Sequence, residues 1–112
     1  MREIKFRVWD TVDGVMWEWP AVVQFGFKIL ADLAYIVMQY IGIKDKNGKE
    51  IYEEDIVKTA GLWFGKVVYS CGHFFLAGPN NLSYSMDHEW SDSEVIGNTC
   101  ENPELMQGGQ GA

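Results

Sequence analysis

The segment from Met38 to Lys58, MQYIGIKDKNGKEIYEEDIVK, constrains the fold of this chain more than any other. Two runs of β-forming residues flank the dipeptide Asn47-Gly48, which tolerates the two positive φ angles of a type I′ turn. The pattern therefore predicts a β-hairpin in the middle of the chain, with a type I′ turn at its tip. A hairpin specifies an antiparallel pairing, but it does not identify a chemistry.

Short apolar runs separated by turn residues continue on both sides of this hairpin. The 112 residues suffice for one domain with its own core, and the aromatic share of 14% favours strands. We therefore predict a mainly β fold class: a small antiparallel barrel or open sheet with an SH3-like portion and at most one or two short helices. A single domain should span residues 1–106, followed by a flexible, glycine-rich tail at 107–112.

The predicted strands follow from apolar alternation and bounding turn residues. They are Ile4–Trp9, Val15–Trp19, Ile36–Ile41, Glu50–Tyr52, Ile56–Thr59, Phe64–Tyr69, His73–Ala77, Leu82–Met86 and Glu94–Ile96. Pro20 should end the second strand. The next stretch is ambiguous, because Val22–Phe27 favours a strand and Lys28–Ala34 favours a short helix or loop. One helical turn is expected at Glu101–Met106, with Pro103 suited to its first position.

The net charge of −7 is concentrated in the second half of the chain. Residues 1–58 have 8 basic and 10 acidic side chains, whereas residues 59–112 have 1 basic and 6 acidic ones. An acidic surface repels phosphate backbones, so the composition disfavours nucleic acid as a partner. The N-terminus has no signal-peptide pattern, and polar residues interrupt the apolar stretch at 21–37. We therefore expect no membrane segment and a cytoplasmic location, with reduced cysteines.

Several segments together resemble the YopX family of phage and prophage proteins, in the family's order along the chain. They are the strand Ile4–Asp10, Met38–Tyr40 with Gly42, the hairpin tip Lys44–Glu53, Asp55–Val57, and Val95–Asn98 with Glu101–Leu105. The resemblance implies a small, mainly β protein of the bacterial host cytoplasm. It implies no enzymatic activity, catalytic residue or cofactor, and assembly into homo-oligomers would be in keeping with it.

Two positions depart from the YopX pattern. The family usually has Gly where this chain has Glu54, and it tends to have a large hydrophobic and aromatic pair where this chain has Thr99-Cys100. If the turn keeps a left-handed residue, Glu54 stores about 1–2 kcal/mol of backbone strain. The second departure weakens any family-wide role for Cys100.

The chain contains four soft metal ligands that could complete a tetrahedral zinc site: Cys71, His73, His88 and Cys100. Their spacing matches no zinc-finger or ribbon pattern, so buried thiols and surface histidines are the simpler interpretation. The carboxylate runs at 53–55 and 87–94 lie in predicted turns without a recognisable catalytic partner. Asp55 is expected instead to bond nearby backbone amides. We therefore predict no catalytic residue, metal site or cofactor, and no enzymatic activity.

The candidate interaction residues are three lysines at the hairpin tip and one tryptophan: Lys44, Lys46, Lys49 and Trp63. The lysines could contact a phosphate or an acidic partner, although Asp45 and Glu50 balance them. The chain also has five Trp, more than so small a core should fully bury, and exposed aromatic side chains mark interfaces.

The leading hypothesis is a non-enzymatic phage accessory protein that acts through protein–protein contacts, as a homo-oligomer and with an unidentified host or phage protein. The acidic surface, the surplus of Trp and the missing catalytic motif favour it. The alternative is a nucleic-acid-binding module that uses the SH3-like barrel and the Lys44–Lys49 hairpin. A third hypothesis, a small enzyme with a carboxylate pair or bound metal, has no motif to support it.

Overall fold

The structure is a computed structural model of the chain, and it describes residues 4–26, 34–59, 64–70, 72–78, 83–85 and 90–108. The described chain is mainly β, with two antiparallel sheets and two short helices. The predicted fold class is therefore confirmed. The predicted helical segment at Lys28–Ala34 lies outside the described residues except for Ala34, which is in a turn.

The first sheet has the strand order β2-β1-β3-β4. Its strands are β1 (Phe6–Asp10), β2 (Val15–Trp17), β3 (Tyr35–Lys44) and β4 (Glu50–Tyr52). Alternate side chains of β1 point to opposite faces of the sheet. On one face Val8 lies between Trp17 and Val37 and forms a small core with Val22 of helix α1 (Trp19–Phe25). Arg7 and Trp9 lie on the other face.

The second sheet has the strand order β8-β7-β6-β5-β9. Its strands are β5 (Asp55–Lys58), β6 (Phe64–Ser70), β7 (His73–Ala77), β8 (Ser83–Ser85) and β9 (Glu94–Asn98). The larger core combines residues of both sheets with the tryptophan of a 3₁₀ turn at Trp90–Asp92. Its members are Ile41, Ile51, Val57, Val67, Leu76 and Trp90. The two sheets are therefore packed on a shared apolar core.

The predicted strand over Val22–Phe27 is wrong, because helix α1 occupies Trp19–Phe25. Pro20 lies in its first turn, where the missing N–H is no loss. The predicted second strand consequently ends at Trp17, two residues earlier than expected. Packing of Val22 against the first sheet outweighs the local β preference of its neighbours.

The predicted hairpin between β3 and β4 is present, but its turn is not type I′. Within this turn Gly48 has a positive φ of 82°, whereas Asn47 does not. The Gly48 amide donates to the Asp45 carbonyl over 3.0 Å, and the Asp45 amide donates to the Lys49 carbonyl over 2.8 Å. A left-handed glycine after such a turn is the G1 bulge arrangement, in which only one residue needs a positive φ.

Helix α2 (Glu104–Gly108) closes against the edge of the second sheet. A Cβ atom at Gly97 of β9 would lie 2.7 Å from Asn102 Oδ1 and 2.8 Å from Leu105 Cδ1. The predicted helical turn is present but begins at Glu104, so Pro103 precedes the helix and is not its first residue. Gln107 and Gly108, which the sequence places in the tail, belong to this helix, and residues 109–112 lie outside the described part.

Candidate functional site

A polar cleft of about 220 Å³ lies between the first sheet and the segment that follows β9. Strands β1, β2 and β4, the hairpin tip and the chain after β9 each contribute to it. The lining residues are Arg7, Met16, Glu18, Lys49, Glu50, Tyr52, Asn98 and Glu101. Sequence reasoning singled out only Lys49 as a site residue among these, because no local motif connects segments so distant along the chain.

Arg7 is buried at the inner side of the cleft and is 5% exposed. Its Nη2 lies 2.5 Å from Asp55 Oδ1 on the second sheet, and its Nε donates to Met38 Sδ over 3.3 Å. The guanidinium carbon also lies 4.8 Å from the centre of the Tyr52 ring, a cation–π distance. These contacts hold the side chain in place and compensate its charge inside the protein.

Asp55 is 1% exposed and has a second structural role besides the pair with Arg7. Its Oδ2 accepts a hydrogen bond of 2.8 Å from the Tyr52 amide, which confirms the expectation that Asp55 bonds nearby backbone. Burial raises the pKa of Asp55, while the Arg7 charge and the Tyr52 amide act in the opposite direction. Asp55 thus contributes to the joint between the sheets and to the start of the β4–β5 turn.

Tyr52 and Glu50 are neighbouring lining residues of the cleft and are hydrogen-bonded to each other. The Tyr52 hydroxyl donates to Glu50 Oε1 over 3.3 Å, and the same carboxylate pairs with Lys5. The Lys5 ammonium lies 5.2 Å from the centre of the Tyr40 ring. Burial and then the Glu50 charge raise the pKa of Tyr52 well above its ordinary value, so the phenol stays protonated.

The rim of the cleft carries two exposed carboxylates, Glu18 and Glu101. Glu101 Oε1 accepts a hydrogen bond of 2.7 Å from the side-chain amide of Asn98, which is itself buried. Among the residues that the structure describes, neither carboxylate is paired with a cation. The rim therefore has two carboxylates without an ion-pair partner in the described chain, and the exposed Lys49 lines the same cleft.

The three tip lysines, Lys44, Lys46 and Lys49, are exposed but do not form a separate basic patch. The Lys46 amide donates to the Ser93 carbonyl over 2.9 Å, and its ammonium lies 3.8 Å from Glu94. Lys44 is opposite Glu50 in the hairpin register. The tip is thus docked on the second sheet, and its cations alternate with acids. Trp63 lies outside the described residues.

Asp45 holds the hairpin tip in this docked position. Its Oδ1 accepts hydrogen bonds from the amides of Asn47 and Lys49, and its Oδ2 accepts one of 2.9 Å from the Val95 amide. Burial acts to raise the pKa of Asp45, but these three backbone donors and the Lys49 charge outweigh it and lower the pKa. The ionised carboxylate is therefore the form that connects the two sheets here.

Glu54 has a φ of 68° and is the one described non-glycine residue with a positive φ, so the anticipated strained backbone is present. Its Oε1 accepts a hydrogen bond of 2.7 Å from Thr99 Oγ1, and Lys66 lies 3.9 Å away. Glu54 and Thr99, the two sites where the chain departs from the YopX pattern, thus contact each other.

The neighbouring Cys100 is half-buried. Burial and then the Glu54 charge raise the pKa of its thiol, which disfavours the reactive thiolate.

The remaining candidate ligands are dispersed where the structure describes them. His73 is exposed on β7, and Cys100 follows β9, while Cys71 and His88 lie outside the described residues. Within the described ranges no three His, Cys, Asp or Glu side chains are grouped closely enough to hold a metal ion. No helix in those ranges has the length and apolar character needed to cross a membrane.

Comparisons with known proteins agree with this fold. A family model described as "YopX protein" matches residues 21–107. The crystal structure of protein EF1440 from Enterococcus faecalis is similar, with a TM-score of 0.66, 26% sequence identity, and coverage of 95% of this chain and 99% of that chain. No curated protein matches the sequence. Since the family model covers well over half of the chain, this protein belongs to the YopX family.

Proposed function

We propose that this YopX-family protein acts through protein–protein contacts rather than catalysis, and that it forms a homo-oligomer. One observation carries the proposal: an apolar row of Met16, Trp9 and Ile36 crosses strands β2, β1 and β3. Trp9 is directly opposite Met16 on one side and Ile36 on the other. The row lies on the face of the first sheet that is turned away from α1, and Ile36 is 42% exposed.

Apolar side chains aligned across neighbouring strands are typical of a surface that packs on another protein. Of the eight large hydrophobic side chains that are exposed in the described chain, six lie between Ile4 and Ile43, in or beside the first sheet. A second copy offers the same face, and two such faces can pack around a twofold axis. Self-association is therefore the simplest way to cover the row.

The positions of the tryptophans also favour the apolar row as the interface. Trp90 is buried in the larger core, and Trp17 and Trp19 pack against the Val8–Val22 core. Trp9 lies in the apolar row, half-buried beside the exposed Ile36. The surplus of Trp seen in the sequence thus has a specific place in the proposal. An unidentified host or phage protein in the bacterial cytoplasm would be the further partner.

The alternative function, nucleic-acid binding through the hairpin tip, has less support. The tip lysines alternate with Glu50 and Glu94, and a net charge of −7 opposes phosphate binding. Salt-sensitive binding of DNA or RNA that Lys44→Glu and Lys49→Glu weaken would favour this alternative. Absence of binding at low salt would remove it.

Native mass spectrometry and sedimentation of untagged protein test the oligomer. We expect one defined oligomer across the micromolar range, and Ile36→Lys should dissociate it. Ile96→Lys is the matched control, because Ile96 is 40% exposed but lies on β9 of the other sheet. A wild-type protein that stays monomeric would contradict the proposal, as would equal effects of the two substitutions.

A further inference from the structure

We propose that the polar cleft binds the basic side chain, arginine or lysine, of a partner protein. The inference rests on the proposed function, because it names the chemistry by which a protein partner is recognised. It concerns a different surface from the apolar row, although Met16 contributes to both. Three properties of the cleft carry it: its surplus of carboxylates over cations, the capacity of the Tyr52 hydroxyl oxygen to accept a hydrogen bond, and its size.

The cleft has a surplus of negative charge where a ligand would enter. Three lining carboxylates face two lining cations. Arg7 pairs with buried Asp55, whereas Lys49 is exposed and has no carboxylate within ion-pair distance in the described chain; its backbone amide donates to Asp45. Of its three carboxylates, only Glu50 is paired with a cation, Lys5, in the described chain. Glu18 and Glu101 remain exposed at the rim, and a cationic group between them would be favoured by both charges.

The phenol of Tyr52 supplies an independent indication that the ligand is a hydrogen-bond donor. Tyr52 is 4% exposed, and its hydroxyl donates to Glu50. No residue in the described ranges donates to the Tyr52 oxygen, although a phenol oxygen readily accepts a hydrogen bond. A guanidinium or ammonium group carries donors and no acceptors, so it complements this oxygen and the carboxylates together.

The size of the cleft selects a side chain over a larger ligand. Its volume of about 220 Å³ is below the range of roughly 300–1,000 Å³ that is usual for cofactor and drug-sized ligands. A single arginine or lysine side chain matches such a space, with its charged end at the carboxylates. Met16 offers an apolar contact for the aliphatic stem of that side chain.

Titration of the full-length protein with capped amino acids, followed by two-dimensional amide NMR, tests the inference. We expect N-acetyl-arginine amide and N-acetyl-lysine amide to cause saturable shifts at Tyr52 and Asn98. N-acetyl-citrulline amide, which has nearly the same shape as the arginine probe and no charge, should cause none. Saturable shifts at these residues from citrulline or from N-acetyl-glutamate amide would overturn the proposal, as would no response to either basic probe.

Variants of the rim establish that the carboxylates are responsible. Glu18→Gln and Glu101→Gln should each weaken binding of the arginine probe by roughly two- to fivefold, the effect of one exposed charge pair. Glu104→Gln on α2 is the matched control, because it removes an exposed carboxylate outside the cleft lining. Equal affinity of all three variants would overturn the proposal.

The outcomes for the cleft and for the oligomer are separable. An oligomeric protein that ignores the basic probes contradicts the cleft proposal alone. A monomeric protein that binds them through Glu18 and Glu101 contradicts the oligomer and supports the cleft. The rim variants should retain the wild-type oligomeric state, since Glu18 and Glu101 are not part of the apolar row.

Discussion

Arg7 on β1 and Asp55 on β5 form a buried ion pair, with Nη2 and Oδ1 2.5 Å apart, that joins the two sheets of this YopX-family protein. Both side chains are almost fully removed from solvent. Removal of one partner from a buried pair leaves an uncompensated charge, which is far more destabilising than the loss of an exposed pair. The joint between the sheets therefore depends on both residues together.

The first prediction concerns this pair. Arg7→Met and Asp55→Asn should each lower the free energy of unfolding by about 3–5 kcal/mol, because each leaves the other charge buried and alone. The asparagine keeps an oxygen for the Tyr52 amide, so the charge is the main change. The double variant should lose clearly less stability than the sum of the two single losses, as measured by urea unfolding.

Lys46→Ala is the control, because it breaks the exposed pair with Glu94 and should lower stability by under about 1 kcal/mol. Additive losses for Arg7→Met and Asp55→Asn would contradict the assignment of a buried ion pair.

The second prediction concerns the pH dependence that Asp45 confers. Its pKa in the folded protein is below the ordinary value of 3.8, so its contribution is present above that value and is lost as the pH falls through the folded pKa. Asp45→Asn should therefore lower stability by about 1–3 kcal/mol at neutral pH, where backbone amides lose a charged acceptor. The difference from the wild type should shrink below pH 3.8. A difference that does not vary with pH would show that the charge of Asp45 is not involved.

The third prediction separates strain from hydrogen bonding at Glu54. Glu54→Ala and Glu54→Gly both remove the carboxylate that accepts from Thr99. Only glycine relieves the left-handed backbone, so Glu54→Gly should be more stable than Glu54→Ala by about 1–2 kcal/mol. Thermal or urea unfolding of the two variants gives the comparison directly. Equal stability would mean that the turn relaxes without strain.

The contribution of the Glu54–Thr99 hydrogen bond to the free energy of unfolding can be measured with the same Glu54 variants. Thr99→Ala should lower stability by about 0.5–1.5 kcal/mol in the wild-type background. In the Glu54→Gly background the same substitution should have a much smaller effect, since the partner is already gone. An undiminished effect there would assign the role of Thr99 to some other contact.

The fourth prediction distinguishes the observed hairpin turn from a type I′ turn. Gly48→Ala should destabilise the protein by about 1 kcal/mol, because the glycine has a φ of 82°. Asn47→Ala should have a clearly smaller effect, since Asn47 lacks the positive φ that a type I′ turn requires. Comparable losses for the two variants, measured by thermal unfolding, would instead support the type I′ geometry.

Much of the fold was predictable because its signals are local. Turn chemistry at Gly48 indicated the hairpin even though the turn type was wrong, and apolar alternation indicated β5, β6 and β7. The residue order also sufficed for the YopX resemblance, which the family model over residues 21–107 confirms. Helix α1 was missed because packing of Val22 on the first sheet, rather than local preference, decides that segment.

The sequence by itself determined a mainly β chain of one family, with a hairpin at its centre and a surplus of aromatic side chains. Only the tertiary structure decided which distant residues meet. Arg7 and Asp55 are 48 positions apart, and Thr99 and Glu54 are 45 apart, so neither contact has a local pattern. The cleft likewise combines segments from β1 to the chain after β9. Periodicity and turn propensity act over a few residues, whereas these pairings are set by how the two sheets pack on their shared core.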